Sequence, residues 1–145
     1  MTESELFEMV EKDLELNKAE LDSESLKIPQ LHNKYLILFN KEKKKLYALE
    51  NSLKTLRRFK TEYYTGKSSE EDLKERGLDP FPYKVLKSEA FSYVDSDKEV
   101  LALLESMDAQ RDIVFYLEST IKNIQNRHWY IRSAIDWIKF TSGTN

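Results

Sequence analysis

Apolar residues recur at helical spacing along most of this chain, and the breaks in that rhythm mark its elements. Thr2-Glu3-Ser4-Glu5 has the spacing of a capping box, in which hydroxyl and carboxylate satisfy free backbone donors reciprocally. Leu6, Met9, Val10 and Leu14 then mark one face of a short helix. A polar linker is expected from Asn17 to Glu24. A long helix is expected to start near Ser25, with Pro29 tolerated because it falls in the first turn, where few backbone donors have intrahelical partners. Its stripe reads Leu31, Tyr35, Leu38, Phe39, Leu46, Leu49, Leu53 and Leu56, and Gly66 stands where a left-handed residue would end it.

Residues 67–95 form a connector. Ser68-Ser69-Glu70-Glu71 predicts one short helical turn ending before Gly77, and Asp79-Pro80-Phe81-Pro82 a turn or extended segment. The stretch Tyr83–Tyr93 is compatible with a short strand or with packing across the helices. Ser96-Asp97-Lys98-Glu99 repeats the capping-box pattern and opens a heptad of six repeats. One seam reads Val100, Met107, Val114, Ile121, His128 and Ile135; the other Leu103, Gln110, Leu117, Ile124, Ile131 and Ile138. Gln110 and His128 interrupt the stripe, and polar groups at such positions more often fix register than bind a ligand.

A second apolar face on this last helix carries Phe115, Tyr116, Trp129, Tyr130, Trp137 and Phe140. At 1.5 Å per residue an unbroken helix over 96–140 would be roughly 66 Å long, against a radius of gyration near roughly 15 Å for a compact chain of this size. The expected fold is therefore mainly α: a long antiparallel helical hairpin with a short N-terminal helix and a partly extended connector. All of 1–145 reads as one domain: 1–24 acidic helix and linker, 25–66 long basic helix, 67–95 connector, 96–140 heptad helix. The inner face of the last helix is expected to pack against the residue 26–65 helix and its aromatic outer face against neighbouring subunits, with Val114, Leu117, Ile121, Ile124, Ile131, Ile135, Trp137 and Ile138 as the expected homo-oligomer contacts.

Charge sharpens this picture. The net charge of −3 conceals nine acids against two bases in residues 1–26, and nine bases against three acids in residues 41–67. Such segregation suits a focused positive stripe for one partner and an acidic element for another, or intramolecular masking of the stripe; a merely solvated helix face is the plain alternative. The chain has no cysteine, which excludes a disulfide framework and thiolate zinc sites. An acidic start and the lack of an apolar run near ~20 residues predict a cytosolic, unprocessed protein with no membrane partner.

Enzymatic chemistry finds little support. His32 and His128 stand alone, outside any H-x-x-x-H or H-E-x-x-H spacing, and neither phosphate-cradling glycine motif occurs. No metal and no cofactor is implied. Glu70-Glu71-Asp72 reads as dipole-favoured acids at a helix start rather than as a cation site.

The informative stretch is Leu56–Lys67, with four cations and three aromatic rings around a helix end. Cations that track phosphates and rings on which bases stack are the means of binding single-stranded nucleic acid. On a helix Arg57, Lys60 and Tyr64 share one side at i, i+3 and i+7, while Arg58 lies about 100° round, near Lys54. With Lys67 after the turn and Tyr63 at the frayed end, these seven are the candidate DNA-binding residues. Phe59 reads as core, following Leu56 at i+3; Tyr63 and Tyr64 fit core and base-stacking roles equally.

This region resembles the UvsY family of recombination mediator proteins of T-even-like bacteriophages. A basic-x-basic pair before Y-Y-x-G-basic is matched by Arg58-Phe59-Lys60 and Tyr63-Tyr64-Thr65-Gly66-Lys67. Agreement continues at Leu31-His32-Asn33-Lys34-Tyr35-Leu36, Lys43-Lys44-Lys45-Leu46, Asp97-Lys98-Glu99-Val100-Leu101 and Ile121-Lys122, over nearly the whole chain. The resemblance implies a non-enzymatic protein that binds single-stranded DNA, loads a RecA-like recombinase and helps displace single-strand-binding protein. It further implies ring-like hexamers or heptamers and a place in the cytoplasm of the infected bacterial host. The family's Lys-x-Arg DNA-binding pair falls on Arg58 and Lys60 with the cation types exchanged, and residues 68–83 depart most from the family pattern. A coiled-coil scaffold or adaptor without direct DNA binding is the rival reading, and an enzyme of unknown type a weaker one.

Overall fold

The computed structural model describes residues 1–143, which contain seven helices and, among the described residues, no strand. The helices are α1 (Glu3–Leu14), α2 (Leu21–Leu26), α3 (Ile28–Tyr64), α4 (Glu70–Glu75), α5 (Lys87–Asp95), α6 (Lys98–Gln125) and α7 (Arg127–Thr141). The mainly α expectation holds. The chain divides into two compact units, one of Met1–Lys43 with the chain from Asp112 onward, the other of Lys44–Arg111. α3 and α6 each contribute one part to each unit.

In the first unit Leu6 and Val10 of α1, Tyr35 of α3 and Leu117, Ile121 and Ile124 of α6 form the buried core. Thr2 caps α1 as the sequence predicts: its hydroxyl accepts from the Glu5 amide while the Glu5 carboxylate accepts from the Thr2 amide. The expected polar linker holds over residues 17–20, but its second half folds as α2, because Leu21 is buried and Glu24 has a partner. Arg127, at the start of α7, lies buried with its guanidinium donating to the carbonyls of Leu14 and Glu15 and, at 3.1 Å, to the Glu24 carboxylate. One cation thus ties the end of α1 and, through Glu24, α2 to α7, and with Lys27 supplies the charge partners a buried Glu24 requires.

The long helices also start and stop differently from expectation. Lys27 separates α2 from α3, which leaves Pro29 in the first turn of α3. The last helix is interrupted at Asn126, and the His128 Nδ1–H donates to the Gln125 carbonyl at 2.8 Å. His128 is therefore a residue bonded at the interruption.

In the second unit Leu53 of α3, Val94 of α5 and Val100 and Met107 of α6 make the core, flanked by Leu49, Leu56, Leu103 and Leu104. α3 and α6 run antiparallel here. Residues 83–93, for which a strand was one expectation, contain an irregular segment and then α5, whose Ala90 and Val94 are buried. Asp97, not Ser96, caps α6: its Oδ1 accepts from the amides of Glu99 and Val100, while the Ser96 hydroxyl donates to the Ser92 carbonyl.

Candidate nucleic-acid interface

The basic-aromatic run closes α3 in the second unit. Gly66 adopts φ +72°, its amide donates to the Tyr63 carbonyl, and the Lys67 amide donates to that of Glu62 at 2.8 Å. This paired arrangement satisfies carbonyls that the helix end leaves free and requires a left-handed residue, as the sequence predicts for Gly66. Lys67 then leaves the helix exposed to solvent.

The fold divides the candidate cations. Arg57, Lys60 and Tyr64 do share one side of α3, and that side faces the acidic junction of α5 and α6. The Lys60 ammonium lies 3.1 Å from Asp97 and 3.4 Å from Glu99 and is only 7% exposed. The Tyr64 hydroxyl donates to the same Asp97 oxygen at 2.7 Å. Arg57 approaches Asp95 at 4.0 Å, both side chains remaining well exposed.

Asp97 holds these groups together electrostatically. Burial pushes its carboxyl up, but hydrogen bonds from Tyr64, Lys60 and the Val100 amide outweigh burial and hold it below the usual aspartate value. The Tyr64 phenol moves up, through burial first and then through its bond to Asp97.

Lys54 and Arg58, a turn apart on the other side of α3, point to solvent. Arg58 is 85% exposed and meets only Glu62, at 3.4 Å, an exposed pair of small worth. Lys54 and Lys67 have no carboxylate partner among the described residues. Of the candidate cations, Lys54, Arg58 and Lys67 therefore face solvent away from the acidic junction, while Arg57, also exposed, stands beside it.

The rings form a cluster larger than the sequence run. Phe59 stacks on Tyr63 at 6.4 Å, and the Arg76 guanidinium covers Phe59 at 3.6 Å, a cation held on a ring face. Tyr63 and Tyr64 meet each other and Phe81 at 4.9–5.8 Å, and Tyr93 closes on Tyr64 and Phe81. Tyr83 stands edge-on to Phe81 at 5.6 Å. The Tyr63 hydroxyl donates to the Asp79 carbonyl. Sequence reasoning missed Arg76, Phe81, Tyr83, Tyr93 and Asp97 as members of this site. The aromatic density of residues 81–93 was the available signal.

The expected oligomer contacts divide as well. Leu117, Ile121, Ile124 and Ile131 are buried within the chain, and Val114 is half-buried. Leu117, Ile121 and Ile124 are already packed against α1 and α3. Ile135, Trp137 and Ile138 are presented to solvent, with Trp137 stacked on exposed Phe140 at 5.8 Å.

Among the described residues no group of His, Asp and Glu is placed to hold a metal ion, and no helix is long and apolar enough to cross a membrane. Glu70, Glu71 and Asp72 fill the first turn of α4, which Ser69 caps through the Asp72 amide.

Long paired helices with no strand among the described residues define an all-α class of chain. Residues 9–144 match the family described as "Recombination, repair and ssDNA binding protein UvsY", and the chain belongs to that family. Crystal structures of the bacteriophage T4 recombination mediator protein UvsY share the fold. One, in lattice type IV, has a TM-score of 0.83 at 20% identity and covers 97% of this chain and 99% of that one. A second, in lattice type II, gives 0.83 at 22% identity with 98% of each chain covered, and a third, in lattice type I, 0.81 at 21% with 94% and 98% covered. No curated protein matches the chain.

Proposed function

We propose that this protein is a recombination mediator: it binds single-stranded DNA and promotes loading of a RecA-like recombinase in place of single-strand-binding protein during phage recombination, repair and replication. It acts by binding rather than by catalysis, as a ring-like homo-oligomer in the cytoplasm of the infected bacterial host. The observation that carries the reading is a set of solvent-facing cations, Lys54, Arg58 and Lys67, beside an aromatic cluster in a chain of the UvsY family.

In this reading Arg58, Lys54 and Lys67 meet phosphates first, and Arg57 joins them by leaving its long contact to Asp95. Lys60 reaches a phosphate only by displacing Asp97 and Glu99, so in the resting chain its work is to fix the helix end on which the other groups stand. Tyr63 and Tyr64 form the ring base of the site. Repeating a modest cationic stripe in several subunits gives avidity, since the second and later sites meet the strand at high effective concentration. The exposed aromatic side chains of α7 supply the apolar surface for that assembly.

The test is a titration of labelled single-stranded DNA at several salt concentrations, with mass determined on the same sample. Tight binding by a multimer, with log affinity falling steeply against log salt, is the expected result. A salt-insensitive or absent interaction leaves a scaffold in place of a mediator.

A further inference from the structure

We propose that Tyr83 and Tyr93, supplied by the connector and α5, form the base-stacking platform of this site; the proposal rests on the single-strand-binding reading above. The rings at the helix end are already committed. Tyr64 touches Tyr63, Phe81 and Tyr93 and bonds Asp97, while Tyr63 lies among Phe59, Tyr64 and Phe81 and bonds the Asp79 carbonyl. Each is half-buried, and opening either face to a base would break packing that holds the end of α3.

Tyr83 and Tyr93 are more open, although the Tyr93 ring also meets Tyr64 and Phe81. Tyr83 is 71% exposed with one ring partner, Phe81, and Tyr93 is 41% exposed. Among the described residues neither hydroxyl has a hydrogen-bond partner. Phe81 lies between Pro80 and Pro82, whose rings restrict the backbone, so the support beneath Tyr83 is held in place before any ligand arrives. Both tyrosines touch Phe81, which gives one anchored ring two solvent-facing neighbours.

Charge selects the ligand class. The chain from Tyr83 to Ser88 holds Lys84 and Lys87, both exposed, and no acid. Rings interleaved with cations fit an unpaired polynucleotide, whose bases offer π faces and whose phosphates offer charge; every base stacks, so the platform tolerates any sequence. A duplex hides those faces.

The experiment compares full-length protein with Tyr83→Ala, Tyr93→Ala, the double alanine variant and the matching phenylalanine variants. Binding is measured to an oligothymidine strand and to an abasic strand of equal length and charge, at several salt concentrations. The double alanine variant is expected to lose about 5-fold or more in affinity for oligothymidine. Its affinity for the abasic strand and its salt slope stay as in the parent, and the phenylalanine variants bind as the parent does. Equal loss on both strands overturns the platform, since it marks a general defect. No loss on either strand also overturns it and leaves the rings to a protein partner. A parent protein that binds neither strand overturns both this proposal and the reading beneath it. Tyr83→Ala alone removes an exposed ring, so its retained helical circular dichroism keeps the comparison valid should Tyr93→Ala loosen the cluster.

Discussion

Lys60 of α3 and Asp97 at the start of α6 meet at 3.1 Å with both side chains 7% exposed. The same carboxylate oxygen accepts the Tyr64 hydroxyl, and the other oxygen caps α6. An analogous trio stands in the other unit, where Asp13 Oδ2 accepts from Lys34 and, at 2.8 Å, from the Tyr35 hydroxyl. Each unit therefore places a lysine and a tyrosine of α3 on one aspartate of a neighbouring element.

Replacing Asp97 by alanine leaves a buried ammonium with only the exposed Glu99 carboxylate at 3.4 Å, frees a phenol and uncaps α6. Removing one partner of a buried pair costs on the order of 3–5 kcal/mol. Urea unfolding of Asp97→Ala should show a loss of that size; a change below about 1 kcal/mol would mean that the pair holds little of the unit together.

The two trios give stability a defined pH window. Asp13 and Asp97 sit below the ordinary 3.8 because hydrogen bonds outweigh burial, so their contribution is complete above that value and is lost as pH falls through the lowered folded-state values. Tyr35 and Tyr64 sit above the ordinary 10.0, through burial first and then the aspartate bond, so theirs is complete below 10.0 and lost as pH rises through the raised values. These four groups should leave the melting temperature level between about pH 5 and pH 9 and lower it on either side. An Asp97→Ala protein with an unchanged acid limb would remove Asp97 from this account.

Lys54, Arg58 and Lys67 differ from Lys60 in that their removal should spare the fold. The triple alanine variant should keep its unfolding midpoint, each surface change being worth within about 0.5 kcal/mol. Its slope of log affinity against log salt on single-stranded DNA should flatten by about 2, at about 0.7 for each phosphate no longer neutralised. Binding and slope both equal to wild type would move the phosphate-binding cations elsewhere.

Self-association should respond to α7 rather than to the buried seam. Trp137→Glu with Phe140→Glu charges exposed positions, and light scattering should report a lower mass at unchanged helicity. Ile124→Glu places a carboxylate in the core of the first unit and should cost more than about 4 kcal/mol, so circular dichroism should report lost structure. An unchanged mass in the first variant would clear these rings of a role in assembly.

Helical periodicity, the Thr2 and Gly66 signals and the basic-aromatic run were legible in the sequence because each depends on residues within one or two turns of one another. Helical spacing also placed Arg57, Lys60 and Tyr64 on one side of α3. It did not tell which side met solvent. That depends on Asp95, Asp97 and Glu99, more than thirty residues away, and on burial energy that gives Lys60 to a carboxylate while leaving Arg58 to water. The heptad seam hid this division for the same reason: it correctly marks an apolar face, but Leu117 and Ile124 pack against α1 and α3 and Ile131 is buried within the chain, whereas Trp137 is 65% exposed and meets only Phe140 among the described rings. Local spacing determined the elements and the residue types of the site; only the tertiary structure decided which of those residues are held and which are offered, because pairing and burial are settled between segments far apart in the chain.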